Sequence, residues 1–296
     1  MTYRADEDFL NPPVSLTVSP DSPAAGSAVT LTSTFTNSTA ITLRGTVLYL
    51  AAGGSARAIP LGDLRSGASV TRRFRTTLAA DAEGEVPFLA HALFDVHRSG
   101  SDCVRASSSA LLPYRSLPGA FDNAGIASDD ALTVANIDGS ASSLSAQALA
   151  SAGLTPGAVV TYDGVDFTWP GTAPGNHDNV VCSGQTVLLS GSGSRLAFLG
   201  TSTWGLGAGD GTVVYADGTR QTFSVSVPDW YGANPAAAVV LPYRHIATGR
   251  DDNPVSLFTF GVDLQDKELA SLVLPRVSDG LVSGVPALHV FAMTVV

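Results

Sequence analysis

The sequence predicts an all-β protein built from two β-sandwich domains. Short segments with alternating apolar and polar residues recur roughly every ten residues, with turn residues between them. Charged residues make up only 14% of the 296 residues, and abundant glycine, serine and threonine suit short strands and tight turns. The hydrophobic content of 45% is sufficient for a buried core, which excludes a disordered chain.

The first predicted domain covers residues 11–115, after a flexible arm at residues 1–10. Its strand-like segments are residues 14–20, 29–35, 42–50, 59–64, 69–78 and 86–96. Turn signals such as Gly53-Gly54 separate them. This spacing predicts an immunoglobulin- or fibronectin-III-like sandwich. His91 and His97 lie too far apart along a strand to share a metal ion, so we interpret them as structural.

The second predicted domain covers residues 116–296. The junction is the segment 110–120, which holds two prolines and a glycine. The sequence SLSAQALASAGL at 143–154 predicts a short helix, and Asp163-Gly164 and Asp217-Gly218 predict two β-hairpins. About eight to ten strands with almost no helix predict a jelly roll.

Charge and hydropathy exclude two classes of partner. The net charge is −10 and Lys267 is the single lysine, which argues against nucleic acid and anionic membrane surfaces. The arginines Arg72, Arg73 and Arg75 are explained by a solvated strand face. No apolar run of about 18 residues exists, so no segment is predicted to span a membrane.

The amino terminus and the cysteines leave alternatives open. The sequence MTYRADEDFL lacks the features of a signal peptide, so the protein is either cytoplasmic or part of a longer secreted protein, and we favour the second. Cys103 and Cys182 would form either one interdomain disulfide or two buried free thiols, of which we favour the thiols.

The first domain resembles the immunoglobulin-like accessory domains of bacterial α-galactosidase-type and other glycoside hydrolases. The resemblance lies in VSLTVSP at 14–20, GSAVTL at 26–31, FTN at 35–37 and LGDLRSGASVTRRFRTTL at 61–78. It implies a spacer without chemistry of its own.

The second domain resembles carbohydrate-binding-like modules found at the ends of secreted actinobacterial glycosidases. The matching segments include FDNAGI at 121–126, VDFTWPGTAPGNHDNVV at 165–181, GTVVYADGTRQTF at 211–223, PYRHIATGRDD at 242–252 and LHVFAMTV at 288–295. The resemblance implies a secreted protein whose partners are a glycan and a glycosidase catalytic domain. It does not identify the ligand-binding residues.

Sugar binding requires aromatic rings that stack on pyranose faces, together with polar groups that bind hydroxyls. We expect the platform to be Trp204, in a glycine-rich loop, or Trp230 with Tyr231, at a strand end. Core packing is the default interpretation for each tryptophan, and binding is least expected for Trp169.

The polar candidates lie in two loops. The segment 243–264 combines Arg244, Arg250 and Asp251 beside a strand, and the loop 171–179 carries His177 and Asp178. The alternatives are a self-satisfied loop with ion pairs between neighbouring residues, and for His177-Asp178 an ordinary surface turn.

Two further alternatives concern metal and catalysis. Asp251-Asp252-Asn253 or Asp129-Asp130 would supply oxygen ligands to a structural calcium, although no cofactor is otherwise implied. The sequence lacks the common nucleophile, zinc and phosphate-binding motifs, which favours a protein that is not an enzyme. A purely structural spacer and an unrecognised hydrolase stay as the competing hypotheses.

Overall fold

The computed structural model describes residues 13–96 and 100–296. The predicted arm at 1–10 and His97 lie outside these residues. The prediction of an all-β fold with β-sandwich domains is confirmed, and the chain divides into two compact units between Leu112 and Pro113. No helix in the described part of the chain is long and apolar enough to cross a bilayer.

The N-terminal unit is a sandwich of two antiparallel sheets. Its strands are β1 (Val14–Ser19), β2 (Ala28–Thr36), β3 (Leu43–Ala52), β4 (Ser55–Leu64), β5 (Ser69–Thr77), β6 (Gly84–Val96) and β7 (Gly100–Leu112). One sheet has the order β1-β2-β5 and the other the order β4-β3-β6-β7. Phe35 of β2 stacks on Phe94 of β6 with ring centroids 5.8 Å apart, so the core is formed by side chains of both sheets.

Alternating burial explains why these segments form strands. In β2, Val29, Leu31, Ser33 and Phe35 are fully buried, while the alternate residues Thr30, Thr32 and Thr34 are partly exposed. In β5, Arg73 and Arg75 are exposed on either side of Phe74, which is the solvated face that the sequence predicts.

The strand β7 was not predicted. It pairs with β6 along its whole length, yet only Val104 and Leu112 are buried in it. Serines occupy many of its positions, so the hydrophobic alternation that marks a strand in a sequence is nearly absent.

The C-terminal unit contains one short helix and many strands. These are β8 (Ile126–Ala127), β9 (Ser143–Ser145), α1 (Ala146–Ser151), β10 (Val159–Tyr162), β11 (Val165–Thr168), β12 (Val180–Val181), β13 (Thr186–Leu188), β14 (Arg195–Thr203), β15 (Gly207–Tyr215), β16 (Arg220–Val227), β17 (Val239–Leu241), β18 (Arg244–Ile246), β19 (Gly249–Asp251), β20 (Val255–Asp263), β21 (Leu269–Val273) and β22 (Ala287–Val295). Short 3-10 turns lie at Pro118–Ala120 and Leu132–Val134. The predicted helix is therefore present as α1, and the predicted hairpins are β10–β11 and β15–β16.

Three layers make up this unit. A five-stranded sheet, β12-β22-β14-β20-β17, packs on a four-stranded sheet, β13-β21-β15-β16. Phe198 lies in the core between them and stacks on Phe223 at 6.3 Å and Phe260 at 5.2 Å. A second core lies against the opposite face of the five-stranded sheet, where Trp169 stacks on Phe291 at 5.0 Å beneath α1 and the β10–β11 hairpin. The five-stranded sheet is thus buried on both faces.

The strand β14 shows the sequence signature of this central position. Every residue from Leu196 to Thr203 is buried, so its pattern is continuous rather than alternating. The strand ends directly at Trp204, and β15 begins at Gly207.

The glycine-rich segment around Trp204 is not the long loop that the sequence predicts. Most of it belongs to β14 and β15, and only the three residues 204–206 connect them. The glycines are required by close packing, because a Cβ atom at Gly209 would lie 2.5 Å from the Arg276 carbonyl oxygen. A Cβ atom at Gly211 would lie 2.5 Å from the ring of Phe223.

The two cysteines are free thiols. Cys182 is buried, and burial raises its thiol pKa. Cys103 is exposed, so the expectation that both thiols are buried is wrong for this residue. Cys103 lies on β7, which is an edge strand of its sheet, and its side chain does not join the core.

Gly200 provides a test of the central sheet. A Cβ atom there would lie 2.2 Å from the backbone oxygen of His289 in the neighbouring strand, at a register shift between β14 and β22. We expect Gly200→Ala to destabilise the protein by roughly 2 to 4 kcal/mol, because the strands must separate. Thermal unfolding measures this effect. Gly171→Ala is the matched control, since no atom lies within 4 Å of its Cβ position, and equal melting temperatures for both variants would contradict the described packing.

Candidate functional site

A cleft of about 520 Å³ lies at one end of the C-terminal unit. Its walls are formed by Asp138, Ser140, Ser142, Trp204, Asp229, Trp230, Tyr231 and Arg244. Four of these residues, Trp204, Trp230, Tyr231 and Arg244, are among the predicted sugar-binding residues. Segments far apart in the sequence therefore meet at one concave surface, which is where ligand sites usually occur.

Trp204 is the most accessible indole of the protein's described part, with 42% of the residue exposed. Its backbone has a φ of +60°, in the left-handed region that bulky residues rarely adopt. Two contacts hold it there: the indole Nε1–H donates to the carbonyl oxygen of Asp138, and the following amide of Gly205 donates to Asp229. A strained residue held by its surroundings is characteristic of a functional site.

The carboxylate of Asp229 joins the two aromatic segments of the cleft. Its Oδ2 accepts a hydrogen bond from the Gly205 amide, and its Oδ1 accepts one from the Tyr231 amide at 2.7 Å. The Trp230 amide donates to the Ser202 carbonyl at 2.7 Å. Asp229 therefore fixes the position of Trp204 relative to Tyr231.

Arg244 lines the cleft from β18. The centre of its guanidinium group lies 4.6 Å from the ring centroid of Tyr231 and 5.3 Å from that of Trp230. Its Nε donates to Asp251 Oδ2 at 2.9 Å, because β18 and β19 pair these two residues. The bond from Arg244 holds the pKa of Asp251 below its usual range.

Trp230 does not have the accessible position that a stacking platform needs. Only 2% of it is exposed, because it packs in the core beneath α1 and the β10–β11 hairpin. Its ring supports the Arg244 guanidinium instead. The accessible aromatic residues of the cleft are Trp204 and Tyr231, of which Tyr231 is 52% exposed.

Asp138 is a cleft residue that the sequence did not identify as a site candidate. Its Oδ1 accepts hydrogen bonds from the amides of Ser140 at 2.8 Å and Ser142 at 3.1 Å. The hydroxyl of Ser140 lies 2.5 Å from that of Ser283. An aspartate before a glycine indicates a turn in the sequence, but not which side chain the turn will face.

Arg250 lies outside the cleft. Its guanidinium group covers the ring of Tyr243 at 3.7 Å, and its Nε donates to Asp252 at 2.6 Å. The self-satisfied arrangement that the sequence analysis kept as an alternative therefore describes this residue. The predicted loop is a hairpin of β18 and β19, which places Arg244 and Arg250 in different surroundings.

A polar network lies beside this hairpin, centred on Asp129. Its carboxylate lies 2.9 Å from His245 Nε2 and accepts hydrogen bonds from Tyr243 at 2.8 Å and Ser145 at 2.5 Å. Burial would raise the pKa of Asp129, but these hydrogen bonds outweigh burial and lower it. Ser143 lies 3.3 Å from the other nitrogen of His245, in an order reminiscent of a nucleophilic relay. Ser143 is fully buried, so no substrate reaches its hydroxyl.

The same network bears on the calcium alternative. Both Asp129 oxygens are occupied by hydrogen-bond donors, and Asp251 is occupied by Arg244 and Asn253. Among the described residues, no group of three or more acidic, histidine or cysteine side chains is placed to hold a metal ion.

His177 and Asp178 do not join the cleft. His177 is exposed and lines a separate cavity of about 230 Å³ with Asp122. Asp178 is buried, so the expectation of a surface turn is wrong for it. Its carboxylate accepts hydrogen bonds from the amides of Gly125 at 3.0 Å and Ile126 at 2.9 Å, and burial raises its pKa to about 6.

The fold of the C-terminal unit belongs to a recognised family. Residues 114–296 match the model of the AziU2-like beta-sandwich domain, so the chain belongs to the AziU2-like β-sandwich domain family. No curated protein matches the chain.

Several solved structures align with this chain at low sequence identity. The sporulation control protein Spo0M from Bacillus subtilis is 15% identical, with a TM-score of 0.23, over 33% of this chain and 48% of that one. The secreted serine protease VesC from Vibrio cholerae is 12% identical, with a TM-score of 0.28, over 98% and 52%. Tripeptidyl peptidase 2 is 8% identical, with a TM-score of 0.31, over 95% and 20%. The matches thus span about half of the first two structures and a fifth of the third.

A buried histidine near Asp178 predicts a dependence of stability on pH. Burial lowers the pKa of His289 from 6.5 to about 3, and its Nδ1 lies 2.9 Å from Asn179 Oδ1. As the pH falls below 6.5, His289 binds a proton in the unfolded chain but not in the folded chain, so the free energy of unfolding decreases. Asp178 acts oppositely between about pH 6 and 3.8, because its folded-state pKa is raised and the folded chain then binds the extra proton.

We expect the histidine to dominate. Between pH 7 and about 4.5, the wild-type protein should lose roughly 2 to 3 kcal/mol more unfolding free energy than His289→Gln. Denaturant unfolding at both pH values measures each protein against itself, so the cost of the substitution cancels. Equal losses in the two proteins would contradict a neutral, buried His289.

Proposed function

We propose that the C-terminal unit is a non-catalytic carbohydrate-binding module, and that its ligand lies in the cleft between Trp204, Tyr231 and Arg244. The observation that carries the proposal is Trp204: an exposed indole held in a strained backbone conformation by a side-chain and a backbone hydrogen bond. Packing of the core does not explain an exposed tryptophan in a strained backbone conformation.

The chemistry of the cleft suits a pyranose ring. The faces of Trp204 and Tyr231 offer apolar surface to the C–H groups of a sugar. Arg244 uses Nε for Asp251, while its two terminal nitrogens have no hydrogen bond to any described residue. These donors are free for sugar hydroxyls, and the aromatic contacts and the Asp251 bond keep their direction fixed.

The carboxylates of the cleft support binding rather than hydrolysis. A glycoside hydrolase needs one carboxyl group as an acid and another as a nucleophile or base. Here Asp138 and Asp229 both accept hydrogen bonds from backbone amides that hold turns in place. Both oxygens of Asp229 are used in this way, so Asp229 would lose a turn contact on becoming a proton donor.

The setting of the module is part of the proposal. The resemblance of both domains to accessory regions of secreted actinobacterial glycoside hydrolases supports a secreted protein. Its immunoglobulin-like domain would act as a spacer for a glycosidase catalytic domain. A β-sandwich domain at residues 114–296 is consistent with such an accessory region.

A purely structural role is the competing candidate, and one observation favours it. Trp169 and Trp230 are each only 2% exposed, as a scaffold without ligand would have them. Trp204 separates the two candidates, because it is the indole that a scaffold does not require at its surface.

Calorimetry with a panel of plant, fungal and bacterial oligosaccharides tests the proposal. We expect at least one to bind, and Trp204→Ala and Arg244→Gln each to weaken its binding by roughly tenfold or more, because each removes about 1 to 2 kcal/mol of stacking or hydrogen bonding. Arg220→Gln is the matched control, since Arg220 is exposed at the start of β16 and far along the strand from the cleft.

Two results would count against the proposal. Absence of binding by the whole panel would leave the structural role. Equal weakening by Arg220→Gln and Arg244→Gln would place the ligand somewhere other than the cleft.

A further inference from the structure

The charges of the cleft are unbalanced. Asp138 and Asp229 are the acidic residues that line it, and Arg244 is the basic one. Asp251 pairs with Arg244, and both side chains are less than one fifth exposed. Neither Asp138 nor Asp229 has an ion pair with any described residue. Because Arg244 is paired with Asp251, the carboxylates of Asp138 and Asp229 have no positively charged partner among the described residues.

Asp138 is the more informative of these two. Only 4% of the residue is exposed, and its Oδ1 already accepts two amide hydrogen bonds. Its other oxygen, Oδ2, accepts no hydrogen bond from the part of the chain that the structure describes. This oxygen is not sealed from solvent, so water or a ligand in the cleft is free to donate to it. Asp138 thus has an unused acceptor in a residue that lines the cleft.

The aromatic residues beside Asp138 also favour a cation in the cleft. The indole of Trp204 is bonded to the Asp138 carbonyl, so the ring and the carboxylate belong to one local structure. The face of an aromatic ring attracts a cation through its quadrupole, and indole does so most strongly. An ammonium group in the cleft would therefore meet an aromatic face and an uncompensated carboxylate together.

We propose that the cleft selects a sugar that carries a free amino group, and that it rejects uronic acids. This inference rests on the proposed carbohydrate-binding function and names its ligand class. The ammonium group lies against Trp204 and donates to Asp138 Oδ2, while the terminal nitrogens of Arg244 bind neutral hydroxyls. A sugar carboxylate meets Asp138 and Asp229 instead, and like charges in a partly desolvated cleft repel.

Three hexamers with the same β-1,4 backbone separate charge from shape. These are hexamers of glucosamine, of glucose and of glucuronic acid, titrated by calorimetry at a pH where the amines are protonated. We expect the glucosamine hexamer to bind about tenfold more tightly than the glucose hexamer, and the glucuronate hexamer to bind most weakly. The preference for the amine should shrink as salt is added, because ions screen a charge-based contact.

Asp138→Asn identifies the source of the preference. The asparagine keeps Oδ1 for the amides of Ser140 and Ser142 and replaces Oδ2 with an NH₂ group, so the turn retains its hydrogen bonds. We expect the ratio of glucosamine to glucose affinity to fall to near one. Asp266→Asn removes the same charge from an exposed site near the opposite end of the sheet and should leave the ratio unchanged.

The outcomes separate the two proposals. If none of the hexamers nor any glycan of the panel binds, both the module and its selectivity are refuted. If glucose or glucuronate hexamers bind as well as the glucosamine hexamer, the module stands and the inferred selectivity is overturned. A preference that survives Asp138→Asn with unaltered salt dependence also overturns it. Thermal unfolding of the Asp138→Asn protein verifies that a lost preference does not reflect a lost fold.

Discussion

The cleft depends on a single carboxylate that holds two backbone segments. Asp229 accepts hydrogen bonds from the amides of Gly205 and Tyr231, and so fixes the turn between β14 and β15 against the segment that follows β16. Trp204 has a left-handed backbone in this turn, which is unfavourable for a bulky residue. The free energy that the turn costs is offset by these hydrogen bonds and by the indole contact with Asp138.

The layered architecture explains how such a turn is held still. The five-stranded sheet is covered on both faces, so β14 emerges from a solid core one residue before Trp204. Arg244 approaches from the third layer, where β18 pairs with β9 and β19. A binding surface assembled at the ends of buried strands is rigid, and rigidity lowers the ordering cost of binding. The polar network around Asp129 joins Ser145, Tyr243 and His245 within the third layer.

Local sequence patterns were sufficient for much of the fold. The hairpin at Asp163-Gly164 was predicted correctly because both residues adopt positive φ, which few residue pairs accept. The strand β7 was missed because its serines hide the alternation. The segment around Trp204 was taken for a loop because glycines required by close packing cannot be distinguished in a sequence from glycines required by a turn.

The candidate site was predictable in part. Residue types suited to sugars identified Trp204, Tyr231 and Arg244, which the structure brings together. Trp230 and Asp178 are buried, so neither offers an accessible side chain to a ligand. Burial depends on how the layers of the fold pack, which no local sequence pattern reveals. Asp138 reaches the cleft through long-range contacts with Trp204, so its position could be found only in three dimensions.

Nuclear magnetic resonance of the indole N–H groups shows whether a ligand contacts Trp204. The three tryptophans give three indole signals, and the signal that disappears in Trp204→Phe is that of Trp204. We expect a bound oligosaccharide to shift the Trp204 signal strongly, together with the backbone amides of Gly205 and Tyr231, and to leave the Trp169 signal in place. Binding that leaves the signals of Trp204 and its two neighbours unmoved would contradict this expectation.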